Sequence, residues 1–239
     1  MSDIYVFWDN SNLFISAKKV AEAMDGNGTR EAVRLNFANL MRLATAARSV
    51  VKAFAVGSVP PEEEALWNRL TADTGIQIDL LERGQQSGSE QGVDESLQVN
   101  MLRAGDDEET PKVAVLLTGD GKGYAEGRGF LADLERLYKK GWGIEVLSWD
   151  HSCKPELKFF AQKNGEFISL DNYYNSITFI VGGRTSNHLS LTSRKTVKPR
   201  KSEKDLKIER LEETLAKLEA KEKRKKNYGI RVNKHKSQK

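Results

Sequence analysis

One cysteine, Cys153, and three histidines in 239 residues leave little soft-donor chemistry. A lone cysteine excludes an internal disulfide framework and a cysteine-based zinc site. No run of eighteen apolar residues occurs, so nothing is expected to span a membrane. The start, "MSDIYVFWDN", lacks a basic n-region and passes at once into strand-like sequence, so no secretory leader is expected. The glycine-rich stretch "GDGKGYAEGRG" (119–129) also fails the nucleotide-loop patterns. G-x-G-x-x-G breaks at Tyr124 when started from Gly119, at Glu126 from Gly121 and at Ala132 from Gly127. No G-x-x-x-x-G-K-[ST] occurs either. These absences point to a cytoplasmic protein that binds no dinucleotide through these glycines; His151 and Cys153 lie two residues apart with no orienting third group, which disfavours a Cys/His nucleophilic pair.

The apolar content of 38% can build a core, yet it is low for a chain that is globular throughout. Part of the sequence is therefore expected outside that core. Charge locates that part. Residues 1–183 hold 19 Lys+Arg against 27 Asp+Glu, a net of −8, and residues 184–239 hold 19 against 7, a net of +12. An acidic body with a basic tail draws a polyanion to one end, through phosphate contacts that are salt-sensitive and blind to sequence.

Strand-like and helix-like segments alternate through the body. Strands are expected at 3–8, 50–57, 76–82, 112–119, 142–149 and 166–174. Helices are expected at 14–24, 36–47, 62–73, 93–105, 130–141 and 154–165. Strands separated by helices of about a dozen residues predict a central parallel sheet covered on both faces. The fold class is α/β, a three-layer αβα sandwich over residues 1–175. "GGRTSNHLSLTSRKTVKPRK" has linker composition, so 176–201 is read as a linker. Residues 202–226 read as one charged helix, with Ser202 as N-cap and an apolar seam of Ile208, Leu211, Leu215 and Leu218 at 3-4-3 spacing. That seam suits either weak docking on the body or a short coiled coil that makes a homodimer. Residues 227–239 are expected to be a disordered basic tail.

In a parallel open sheet, ligands sit outside the carboxyl ends of the strands, where the strand order reverses. The polar residues just past strand ends are Asp9, Asn10 and Asn12, then Thr118 and Asp120, then Asp150 and His151. Asp94 and Glu95 open a helix that faces the same edge. Converging carboxylates repel by roughly 4 kcal/mol per close pair, at about 4 Å and an effective dielectric of about 20. A hard divalent cation with oxygen ligands, Mg²⁺ or Mn²⁺, relieves that repulsion, and such a metal activates water against a phosphodiester. Taken singly, each acid has a plainer use: Asp9 as a helix N-cap, Asp94 beside a helix N-terminus, Asp120 as a turn residue.

"VFWDNSNLF", "GVDESLQVNML" and "VLLTGDGKGY…FLADLERLYKKGWGIEVLSW" together resemble the NYN domain of the PIN-like nuclease superfamily, in its LabA-like branch. The resemblance covers nearly all of residues 3–150 and implies a metal-dependent ribonuclease. It makes Asp9, Asp94 and Asp120 the catalytic, metal-binding acids, and gives Asn12 a supporting or substrate-contacting role. The family often carries a further acid two residues after the one matching Asp120. Here that place is Lys122, so Glu126 is the candidate fourth acid and Lys122 a candidate phosphate contact. Thr118 and Tyr124 complete the expected substrate-binding set, Tyr124 by stacking on a base. RNA is the expected partner. The alternatives are a non-catalytic RNA-binding or scaffold protein with a degraded site, and an interaction protein acting through residues 202–226.

Overall fold

The apolar run after Asp3 forms β1 (Ile4–Asp9), buried along its whole length. In the computed structural model, residues 2–56, 61–74, 78–81, 91–119 and 128–236 are described, with side chains except those of 61–64, 73–74, 79–81, 91–95 and 222–236. After β1 come α1 (Asn10–Asp25), β2 (Val33–Leu35), α2 (Phe37–Thr45), β3 (Val50–Val56), α3 (Pro61–Thr74), β4 (Ile78–Leu81) and α4 (Gln91–Asp107). The second half holds β5 (Val113–Leu117), α5 (Phe130–Lys139), β6 (Gly143–Ser148), α6 (Pro155–Asn164) and β7 (Glu166–Ser169). A 3₁₀ turn (Leu170–Tyr173), α7 (Tyr174–Ile177) and β8 (Thr178–Ile180) follow, and α8 (Glu203–Lys236) comes last.

Six strands form one sheet in the order β4-β3-β1-β5-β6-β7, every neighbouring pair parallel. Winding proceeds outward from β1 through β3 to β4, then restarts at β5 on the other side of β1. The order therefore reverses between β1 and β5. Side chains alternate across β1. Ile4, Val6 and Trp8 join the core beneath α1, α2 and α3, whereas Tyr5 and Phe7 join the core beneath α4, α5 and α6. Burial on both faces explains the unbroken apolar strands. The result is the expected α/β three-layer sandwich of PIN-like type.

Several segments differ from expectation: the strand expected at 166–174 ends at Ser169 and gives way to a 3₁₀ turn, and β2 has no counterpart among the expected strands. The stretch 176–201 is not a linker. β8 pairs antiparallel with β2, Leu189 is buried in the core, and residues up to Arg200 belong to the same compact unit as the sheet. Beyond it lies a second unit, in which α8 runs to Lys236, ten residues past the expected end and into the stretch read as a disordered tail. Ser202 does cap α8, with reciprocal hydrogen bonds to Asp205.

Charge pairing holds the 176–200 segment down. Glu145, in the middle of β6 and fully buried, accepts two 2.7 Å bonds from Arg48, a bond from the fully buried Arg194, and a 2.9 Å bond from the Val197 amide. Arg48 also donates to the Thr45 carbonyl and Arg194 to the Leu43 carbonyl, both at the end of α2, and Arg194 donates further to the Lys195 carbonyl. Nearer β8, Asp25 accepts from Tyr174 at 2.6 Å and from Arg184 at 3.0 Å. The Arg184 hydrogen bond holds the Asp25 carboxyl below its ordinary value, while burial and Asp25 push the Tyr174 hydroxyl up to about 12.

Removing one member of a buried charge group strands the others. Glu145→Ala should cost about 3–5 kcal/mol, read as a drop in urea midpoint at unchanged slope; a loss under 1 kcal/mol would contradict a clamp at this position. Asp25, with its lowered folded-state value, stabilises the fold above the ordinary carboxylate range and loses that contribution as pH falls through the folded-state value. The stability gap between wild type and Asp25→Asn should therefore be full at pH 7 and narrow toward pH 3, followed by thermal melts; a gap independent of pH would exclude the linkage.

Candidate active site at the strand reversal

β1 ends on Asp9, and the chain turns directly into α1. Asp9 is the N-cap: its Oδ1 accepts the Asn12 amide at 3.2 Å and its Oδ2 accepts the Asn12 side-chain amide at 2.7 Å. A cap of this kind satisfies one of the donors a helix start leaves free. Asp9 does more than cap. The parallel register pairs Trp8 with Leu117, which brings the residue after β5 level with Asp9. There Thr118 donates its hydroxyl to Asp9 Oδ2 at 3.0 Å, across 109 residues of sequence. Asp9 is 1% exposed and Thr118 fully buried. The structure thus brings together three expected site residues, Asp9, Asn12 and Thr118, at the point of strand reversal.

The backbone after Thr118 has little freedom. A Cβ on Gly119 would lie 2.0 Å from the Asn12 carbonyl oxygen, so only glycine lets this loop leave β5 against α1. The Gly119 carbonyl accepts from Ser148 at 3.2 Å and from Ser152. Trp149 Nε1 donates to the Leu13 carbonyl at 3.0 Å, tying the end of β6 to α1. Ser148, Ser152 and Trp149 steer the exit from β5. They belong to the site's support, and nothing in "LSWDHSC" marks its serines as reaching back to Gly119.

Asp120, Lys122, Tyr124 and Glu126 lie outside the described residues. Asp94 lies in the first turn of α4, whose backbone alone is described there. Topology still places that turn. α4 follows the carboxyl end of β4, so it starts at the same sheet edge as Asp9, and it packs on β1 and β3. It covers the face of β1 to which alternation assigns Asp9 with Tyr5 and Phe7. Among the described residues, no group of three or more His, Cys, Asp or Glu gathers as a metal set.

The other strand-end acid is committed elsewhere. Burial opposes ionisation of Asp150, but Lys158 at 2.5 Å and a Ser169 hydroxyl outweigh it and hold its carboxyl low. His151 and Cys153 sit at this same corner, Cys153 buried. Besides Glu145, a second buried acid has no signal in the sequence. Asp133, in the first turn of α5, is 2% exposed, and burial pushes its carboxyl up against the pull of Arg136 at 2.6 Å. "FLADLERL" gave no sign of it, because an amphipathic helix start is an ordinary place for aspartate.

A parallel sheet whose strand order reverses beside a buried aspartate is that of a doubly wound α/β protein of the PIN-like nuclease type. The NYN domain family matches residues 3–171, and the chain belongs to that family. Its function is accordingly nuclease-like and RNA-related in class. A crystal structure of a protein of unknown function from Vibrio parahaemolyticus is similar in fold, with 18% identity, a TM-score of 0.51, and coverage of 72% of this chain and 94% of that one. A search of curated proteins finds no match.

The packing at Gly119 gives a direct check. Gly119→Ala should lower stability by about 1–3 kcal/mol through the clash with α1, measured by chemical denaturation. Stability equal to wild type would mean that the exit of β5 is not seated against Asn12.

Proposed function

We propose that the chain is a Mg²⁺- or Mn²⁺-dependent endoribonuclease that hydrolyses RNA phosphodiester bonds at the carboxyl edge of the sheet, where the strand order reverses. One observation carries this reading most. A buried carboxylate, Asp9, sits at the carboxyl edge where the sheet reverses, bridged by Thr118 from the strand that leads into Asp120. Asp94 enters the same edge at the start of α4. The donor chemistry suits a hard cation: acids and amides on oxygen, with the single cysteine buried at another corner. The side-chain oxygen of Asn10, next to Asp9, is buried without a hydrogen-bond partner among the described residues, an acceptor that a hydrated cation would satisfy.

When bound, a divalent cation supplies water of lowered pKa and positive charge against the phosphate oxygens. The protein's own contributions are separate. Asp9, Asp94 and Asp120, with Glu126 as a candidate fourth, form the carboxylate seat. Asn12 and Thr118 fix the rotamer of Asp9 by holding both its oxygens. Lys122 holds a phosphate oxygen, and Tyr124 stacks on a base. The protein acts in the cytoplasm.

The RNA-holding charge is concentrated late in the chain. Arg184 and Arg194 are consumed by Asp25 and Glu145, so residues 184–200 offer less free charge than their composition suggests. Residues 201–220 hold 5 Lys+Arg against 6 Asp+Glu, whereas 221–239 hold 9 against 1. The last nineteen residues are the electrostatic grip.

Labelled single-stranded RNA incubated with Mn²⁺ tests the reading. Cleavage by the wild type should disappear in Asp120→Asn while binding persists. Deleting 221–239 should weaken binding and flatten its salt dependence without unfolding the domain. RNA bound but never cut by the wild type would leave a scaffold on a nuclease fold, with Lys122 marking the lost acid.

A further inference from the structure

We infer that α8 is one strand of a parallel, in-register homodimeric coiled coil. Ile208, Leu211, Leu215 and Leu218 are 43–61% exposed, large apolar side chains in a helix otherwise rich in charge. Their 3-4-3 spacing makes them successive a, d, a and d positions of two heptads, with Ile208 at a. A stripe repeating every 3.5 residues is satisfied by another helix lying alongside, and the charges flanking it identify that helix.

With Ile208 at a, the e positions are Asp205, Glu212 and Glu219, all acidic. The g positions are Lys207, Thr214 and Lys221, basic or neutral. Each of these residues is exposed. In a parallel dimer, a g residue of one chain meets the following e residue of the other, so Lys207 faces Glu212 of the second copy, twice by symmetry. Thr214 faces Glu219 without conflict, and Lys221 would face Lys226 beyond the last apolar layer. In an antiparallel pair, e meets e and g meets g. Acid would then face acid at every e pair and Lys207 would face Lys221 on either side of a neutral Thr214 pair, which disfavours that arrangement. The partner whose charges fit is a second copy of the same chain in the same direction.

Only four apolar layers are present, and the next a position is Glu222. Short coiled coils are marginal, so the dimer is expected to be weak and concentration-dependent, in the micromolar to sub-millimolar range. Weak pairing suits a helix that also bears the basic end: parallel register puts residues 221–239 of both chains at one end. Two such segments acting together on one polyanion bind more tightly than either alone. This consequence rests on the RNA reading above, whereas the self-association does not.

Sedimentation equilibrium of the full chain should show a monomer–dimer equilibrium that Leu211→Asp removes, with circular dichroism confirming an intact domain. Lys207→Glu should weaken the dimer roughly three- to tenfold, and the double change Lys207→Glu with Glu212→Lys should restore it. Leu211→Cys should form a disulfide-linked dimer on mild oxidation, because identical d positions face each other in parallel register; Cys153 is buried, and the wild type supplies the background. A monomer at every concentration would overturn the inference. So would cross-linking of Leu211→Cys only to Leu215→Cys in a mixture of the two variants, which is the antiparallel signature. Loss of RNA cleavage with the dimer intact would instead count against the nuclease reading alone.

Discussion

The hydrogen bond from Thr118 to Asp9 organises the end of the molecule where chemistry is expected. It joins the first strand to the strand that begins the second half of the winding, where the strand order reverses and the two neighbouring strands lead their helices, α1 and α5, to opposite faces. A buried carboxylate there is costly unless its oxygens are occupied. Asn12 and Thr118 occupy them, and in doing so hold Asp9 in one orientation. Everything nearby follows from that seat: Gly119 must lack a side chain to pass α1, and Ser148, Ser152 and Trp149 fasten the strand exit from behind.

The amino end of the sheet solves a different problem. Glu145 is a full charge inside a strand, neutralised by Arg48 and Arg194 from two other parts of the chain. Such a triad does not imply high net stability, since hydrophobic replacements of similar volume often do as well. Its effect is specific: it fixes where the returning segment lies, because only one placement gives Arg194 and the Val197 amide their acceptors. The sheet is thus clamped toward its amino end by this triad, while Asp9 and Thr118 lie at its carboxyl end. That division follows the general rule that binding groups gather at the carboxyl ends of parallel strands.

How much of this was legible depended on the range of the interaction. "DIYVFW" and "KVAVLL" announce buried strands through composition alone, and Asp9 and Thr118 stand out because polarity returns abruptly at each strand end. Asn12 lies one helical turn from Asp9, within reach of local rules. Glu145 and Arg194 were not legible: one sits in "WGIEVLSW", which already reads as a strand, and the other in a stretch whose glycines, serines and basic residues suggest a linker. Their partnership spans 49 residues and exists only once the sheet forms. β2 and β8, three residues each, are too short to show a period. The tail of α8 looked disordered because its charges are mostly of one sign, whereas the helix in fact continues through them.

The nuclease account depends on Asp9 sharing one cation with acids from α4 and from the loop after β5. Anomalous scattering from crystals soaked in Mn²⁺ tests that dependence most directly. The account predicts a single strong peak at about 2.1 Å from a carboxylate oxygen of Asp9, with oxygens of Asp94 and Asp120 completing its coordination. A saturating soak that leaves Asp9 without manganese, with the Asp94 and Asp120 carboxylates turned away from it, would contradict it.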